Sequence, residues 1–164
     1  MSQVSDKLKW CLNKATKELI ETGRHRGLLR KEPNLKLAEK HLVKAEHNLD
    51  AAFYFAEGGY SDWSASAFFY SLYHCFLAIL AQHGYESRNQ ECTLAAIETL
   101  KEERKLEINQ EYINLLKTIK NTDESAIQLR EDGVELEFRR KEEFNRLAQV
   151  CKELIEVTKE IIHK

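Results

Sequence analysis

Ser71 and His74 stand in the middle of the stretch SASAFFYSLYHCFLAILAQHGYESRNQECT, residues 64 to 93, with Tyr70 and Tyr73 beside them. A hydroxyl, an imidazole and two phenols at helical spacing are groups that acid–base chemistry uses. Asp62 completes a Ser/His/Asp set on paper, but nothing near Ser71 supplies the strained elbow that exposes a nucleophilic serine. Ala67, Ser71, His74 and Ala78 recur at steps of three and four, and a row of small or polar groups lets another helix approach closely. On that reading His74 is an internal histidine whose ring nitrogens bond a neighbouring hydroxyl or carbonyl. Phe69, Tyr70, Tyr73 and His74 are then candidates for the core or for a subunit interface.

Metal and phosphate-loop chemistry find little to work with. A di-iron centre in a helical bundle takes two Glu-x-x-His pairs and further inward glutamates, and only Glu160 and His163 have that spacing, at the end of the chain. His74 and Cys75 are adjacent, so they point in different directions on a helix and cannot chelate one ion together. No metal and no other cofactor is expected. Neither G-x-x-x-x-G-K-[ST] nor G-x-G-x-x-G occurs, which argues against a self-contained NTPase. Cys11, Cys75, Cys92 and Cys151 are widely separated without a C-x-x-C pair, and the expectation is reduced, buried thiols.

Two cationic clusters remain, RHRGLLRK at 24–31 and RRK at 139–141. Glu137, Glu142 and Glu143 flank the second and largely cancel its field, so Arg24, Arg26, Arg30 and Lys31 are the better phosphate contacts. The chain as a whole carries Lys+Arg 25 against Asp+Glu 27, a net charge of −2, so any nucleic-acid binding must come from such a local patch. The composition, 43% hydrophobic and 32% charged with one proline and six glycines, suits one soluble helical domain spanning 1–164. Without a charged-then-apolar leader or an apolar run approaching about 20 residues, a cytoplasmic location away from membranes is expected.

The elements that must position these groups follow from periodicity. Val4, Leu8, Cys11, Ala15 and Leu19 make one helical stripe that stops near Gly23, and the segment to Asn34 reads as a cationic connector. Asn34 caps a second helix whose stripe runs Leu35, Ala38, Leu42, Ala45, Leu49, Ala52 and Ala56, ended by the glycines of EGGY. Ser61 can cap the apolar helix from Asp62 to His83, and Ser87 with Gln90 has capping-box spacing for a shorter helix through about Leu100. Ile108, Tyr112, Leu115, Leu116 and Ile119 form a further piece, and Phe144 to Ile162 the last helix. No strand is expected; GVELEF, 133–138, is the nearest candidate. The class is all-α, an antiparallel up-and-down bundle of four to five helices.

The alanine-rich helix LAEKHLVKAEHNLDAAFYFAEGGYSDW followed by the aromatic stretch quoted above resembles the HEPN domains (higher eukaryotes and prokaryotes nucleotide-binding), best over residues 35–100. The resemblance implies a HEPN-like bundle, a homodimer, and an association with a nucleotidyltransferase partner protein in toxin–antitoxin or defence modules. Active members are metal-independent ribonucleases that use an arginine followed four to six residues later by a histidine, a pair able to activate a ribose 2′-hydroxyl and stabilise the phosphorane. Arg130 in LREDGVELEF matches the arginine, but Glu135 stands where the histidine is needed and no histidine lies between Arg130 and His163. The resemblance therefore implies a non-catalytic binding module for nucleotide or RNA, with Arg130 among its contacts. The alternative is a ribonuclease toxin using Arg130 and His74.

Overall fold

The computed structural model describes residues 2–118 and 141–164, so GVELEF and Arg130 lie outside the described residues. Six α-helices, one 3-10 turn and a two-stranded ribbon account for the described elements. Helix α1 covers Gln3–Thr22, with the Ser2 side chain accepting from the Ser5 amide and Gly23 closing the helix at φ 75°. Its buried stripe is Leu8, Cys11 and Ala15, shorter than the sequence pattern, because Leu19 stays exposed.

The expected cationic connector is instead a strand. β1, Leu28–Arg30, pairs antiparallel with β2, Tyr85–Ser87, aligning Leu28 with Ser87, Leu29 with Glu86 and Arg30 with Tyr85. Three residues per strand are too few to signal themselves by alternation, and an isolated two-stranded ribbon is marginal in water. Its surroundings hold it: the Arg88 amide donates to the Gly27 carbonyl and the Lys31 amide to that of Gly84, each at 2.8 Å. Gly84 has φ +84°, and a Cβ there would lie 2.7 Å from the Lys31 carbonyl oxygen, so the turn into β2 requires glycine.

Helix α2, Leu35–Glu57, starts where the Asn34 side chain accepts from the Leu37 amide and buries Ala38, Leu42, Ala45, Leu49 and Ala52, as the spacing predicts. A 3-10 turn, Ser61–Trp63, leads without a side-chain cap into α3, Ser64–Gln82. By length and composition the segment Ser61–Gln82 is apolar enough to cross a membrane, contrary to the reading that no run approaches that length. Because 83% of its window is buried, the bundle itself covers that surface. Helix α4, Gln90–Glu102, is capped by Asn89, whose side chain accepts from the Cys92 amide; Ser87, the expected cap, lies in β2 and donates to the Asn89 carbonyl. Helix α5 covers 110–118 and buries Ile113 and Leu116. Helix α6 is Lys141–Ile162.

Side-chain pairs set the directions. Ser71 reaches Ala45 and Ser64 reaches Ala52, so α2 and α3 are antiparallel. Phe53 meets Phe144 while Glu46 faces Lys159, so α2 also runs against α6. This is the all-α bundle, with α3 at its centre.

The expectation of reduced, buried thiols holds for two of the four cysteines and fails for the other two. Cys11 and Cys92 are joined in a disulfide, with Cα atoms 5.9 Å apart across 81 residues of sequence. Spacing cannot reveal such a pair, because the packing of α1 on α4 alone brings the two together. Cys75 and Cys151 are free, buried thiols, and burial pushes each up to about 12, which leaves them unreactive. Reduction with dithiothreitol, or Cys92→Ser, is expected to lower the unfolding free energy by about 2–4 kcal/mol. Urea titrations followed by circular dichroism, with and without reductant, measure this.

Candidate functional site

The face of α3 that is not enclosed carries His74, and α2 sets His41 against it, Nδ1 to Nδ1 at 3.0 Å. The ring centroids are 5.2 Å apart, so the two nitrogens point at one another, and only one of them holds a hydrogen. The partner is an imidazole rather than the hydroxyl or carbonyl anticipated from sequence. His41 has no signal of its own there, since it lies 33 residues from His74 on another helix.

Burial, then the neighbouring His41 and Lys44, lowers His74 to about 4, and burial lowers His41 as well. The pair is therefore uncharged at neutral pH. An imidazole titrating near 4 is a weak base and supplies no cation for a phosphorane, which is poor equipment for acid–base catalysis at pH 7.

The other residues of the aromatic helix divide between inside and outside. Ser71 is buried and donates to the Ala45 carbonyl at 2.8 Å, the close helix contact that its stripe implies. Phe69 is buried and stacks on Tyr73. The Tyr73 hydroxyl lies 3.3 Å from that of Thr93, which is in turn 2.6 Å from Ser87, and burial raises its pKa above the usual phenol range. Phe69 and Tyr73 are thus enclosed within the chain, whereas Tyr70 is 42% exposed and His74 partly so. Trp63, Tyr70 and His74, at steps of seven and four, share this open side.

The cationic segment is split by the ribbon. His25 is buried: its Nδ1 accepts from the Gly27 amide at 3.3 Å and its Nε2–H donates to Glu86 at 2.9 Å. This hydrogen bond, with Arg88 at 3.3 Å, holds the Glu86 carboxyl below the usual carboxylate range. Arg24, Arg26, Arg30 and Lys31 stay exposed. Arg30 is the one fixed in direction, with Nη1 donating to the Tyr85 hydroxyl at 2.9 Å and the guanidinium over the Tyr85 ring. Sequence reasoning missed His25 and Glu86 because only strand pairing brings them together. Among the described residues no group of three or more His, Cys, Asp or Glu side chains could hold a metal ion.

This bundle and its aromatic central helix correspond to a known domain class: the HEPN domain model matches residues 38–162. The chain belongs to the HEPN family, which associates it with nucleotide- or RNA-related function in general. Neither the curated proteins nor the solved structures contain a significant match. Helix α1 and strand β1 precede the matched residues.

The histidine pair predicts a pH dependence. Both pKa values are lowered by folding, so the stability associated with the neutral pair is complete above about 6.5 and declines as pH falls, the His74 share being lost toward about 4. His74→Gln is expected to flatten the part of the stability curve between about pH 6.5 and 5, above most carboxylate titration. Thermal melts of both proteins across that range provide the check.

Proposed function

We propose that this chain is a non-catalytic HEPN binding module that engages single-stranded RNA or a nucleotide through phosphate contacts on the segment 24–31. The observation that carries the reading is the exposure of Arg24, Arg26, Arg30 and Lys31 within eight residues of an acidic chain, on a segment anchored at 28–30 by β pairing. Exposed cations at this density are the means by which a protein of net charge −2 acquires a local attraction for phosphate. Arg130 belongs to the proposal as a further contact, on the resemblance alone. The uncharged state of His74 supports binding over cleavage.

The proposal includes a homodimer formed on the open side of α3, where Trp63 and Tyr70 offer exposed aromatic surface on the helix that carries His74. It also includes a nucleotidyltransferase partner protein in a toxin–antitoxin-like system, again on family resemblance. The location proposed is cytoplasmic. The Cys11–Cys92 disulfide is the observation against that location, because cytosolic thiol pools keep most cysteine pairs reduced.

Fluorescence anisotropy with a labelled single-stranded oligoribonucleotide tests the binding surface. Replacing Arg24, Arg26 and Arg30 together by alanine is expected to reduce the slope of log K against log salt by about 2, at roughly 0.7 per phosphate contact. An unchanged slope removes the segment from the site. If the oligonucleotide is instead cut without metal, and Arg130→Ala abolishes cutting, the ribonuclease alternative replaces this reading. For the dimer, sedimentation equilibrium is expected to show a two-fold mass that Tyr70→Glu converts to the monomer; a monomeric parent protein at high concentration refutes it.

A further inference from the structure

Beside the cationic segment, a cleft of about 450 Å³ opens between α1, the entry to β1 and the start of α4. Its volume is within the range of small-ligand sites, roughly 300–1,000 Å³. Along α1, Lys7, Trp10 and Lys14 follow one another at steps of three and four and form one wall. Arg26 and Gly27 form another part of the wall, and the disulfide-linked Cys11 and Cys92 also line the cleft. Gly27 lets this wall come close: a Cβ there would stand 3.1 Å from the Ala15 Cβ.

Trp10 is the unusual member. An indole is the side chain with most to gain from burial, yet this one is 52% exposed on a helix that has a well-buried stripe next to it. The Lys7 and Lys14 ammonium groups lie over the ring, 4.5 and 4.9 Å from its centroid, so a stacking base takes the place of one of these flexible side chains. An exposed aromatic ring attended by cations in a concave site is the arrangement that binds single-stranded nucleic acid, with the base on the ring and the backbone on the charges.

The charges decide which ligand fits. Glu18 and Glu91 also line the cleft, and Lys7 is 3.6 Å from Glu91. Three cations against two carboxylates leave the lining with a net charge of +1. That is too little to retain a bare phosphate, and a ligand must bring a flat ring to use the site. We infer that the Trp10 cleft is a nucleobase-stacking subsite for single-stranded RNA, with Lys14 and Arg26 taking the adjoining phosphates. This inference rests on the proposed RNA-binding reading and extends it into a part of the chain that precedes the residues matched by the family. The disulfide has a role here, since it joins the helix that carries Trp10 to the helix that closes the cleft.

The test compares two oligoribonucleotides of equal length and charge, one with bases and one abasic, in anisotropy and tryptophan-fluorescence titrations. The base-containing strand is expected to bind at least about fivefold more tightly and to quench fluorescence. Trp10→Ala should abolish the difference between the strands, while Trp10→Phe should keep the affinity difference but lose the quench. Lys14→Ala should weaken both strands alike, and millimolar inorganic phosphate should not compete. Circular dichroism of each variant establishes that α1 is still folded. Equal affinities for the two strands, or a difference that survives in Trp10→Ala, overturn the stacking site while leaving the arginine-dependent binding intact. No binding of either strand overturns both the stacking site and the RNA-binding reading.

Discussion

The close approach of α2 and α3 is the constraint on which the other features depend. Ala38, Ala45 and Ala52 present only methyl groups on the buried stripe of α2, and all three are fully enclosed. With so little side chain in between, the hydroxyls of Ser64 and Ser71 reach across to the carbonyls of Ala52 and Ala45. A larger residue at Ala45 or Ala52 would push the helices apart and leave a serine hydroxyl buried without a partner, a cost of about 1–3 kcal/mol. The same closeness brings His41 within hydrogen-bond reach of His74.

The interior consumes its own polar groups. Thr99 and Thr158 bond carbonyls of their own helices, and Thr93, Ser87 and Tyr73 bond one another. Among the described residues no buried side-chain nitrogen or oxygen lacks a hydrogen-bond partner. The hydroxyls and the imidazole that first suggest chemistry thereby serve helix contacts. What is left for recognition is on the outside, where arginines and lysines stand around the ribbon and along α1.

The N-terminal segment is bound to the family core by several kinds of bond. A disulfide joins α1 to α4, backbone pairing joins β1 to β2, and the His25–Glu86 hydrogen bond lies under the ribbon. Leu8 and Leu28 add buried apolar surface. A segment held in this way offers its polar side as fixed surface, so Arg30 and Trp10 have definite settings.

Helices α1 and α2 were legible in the chain itself: Gly23 ends α1, Asn34 caps α2, and the three-four alternation from Ala38 to Ala52 is the stripe that is buried. The centrality of α3 was legible as well, from apolar residues on every side. Local periodicity reports these features because they depend on neighbours one helical turn away. The strand at 28–30, the Cys11–Cys92 bond, the His41–His74 pair and the cleft at Trp10 were not legible. Each joins residues 33 or more apart in sequence, or surfaces of separate elements, and only the packed chain selects which distant groups meet. The sequence by itself determined an all-helical bundle of the HEPN kind. Tertiary structure decided which of its cations and aromatics face outward together, because exposure belongs to the packed arrangement and to no residue alone.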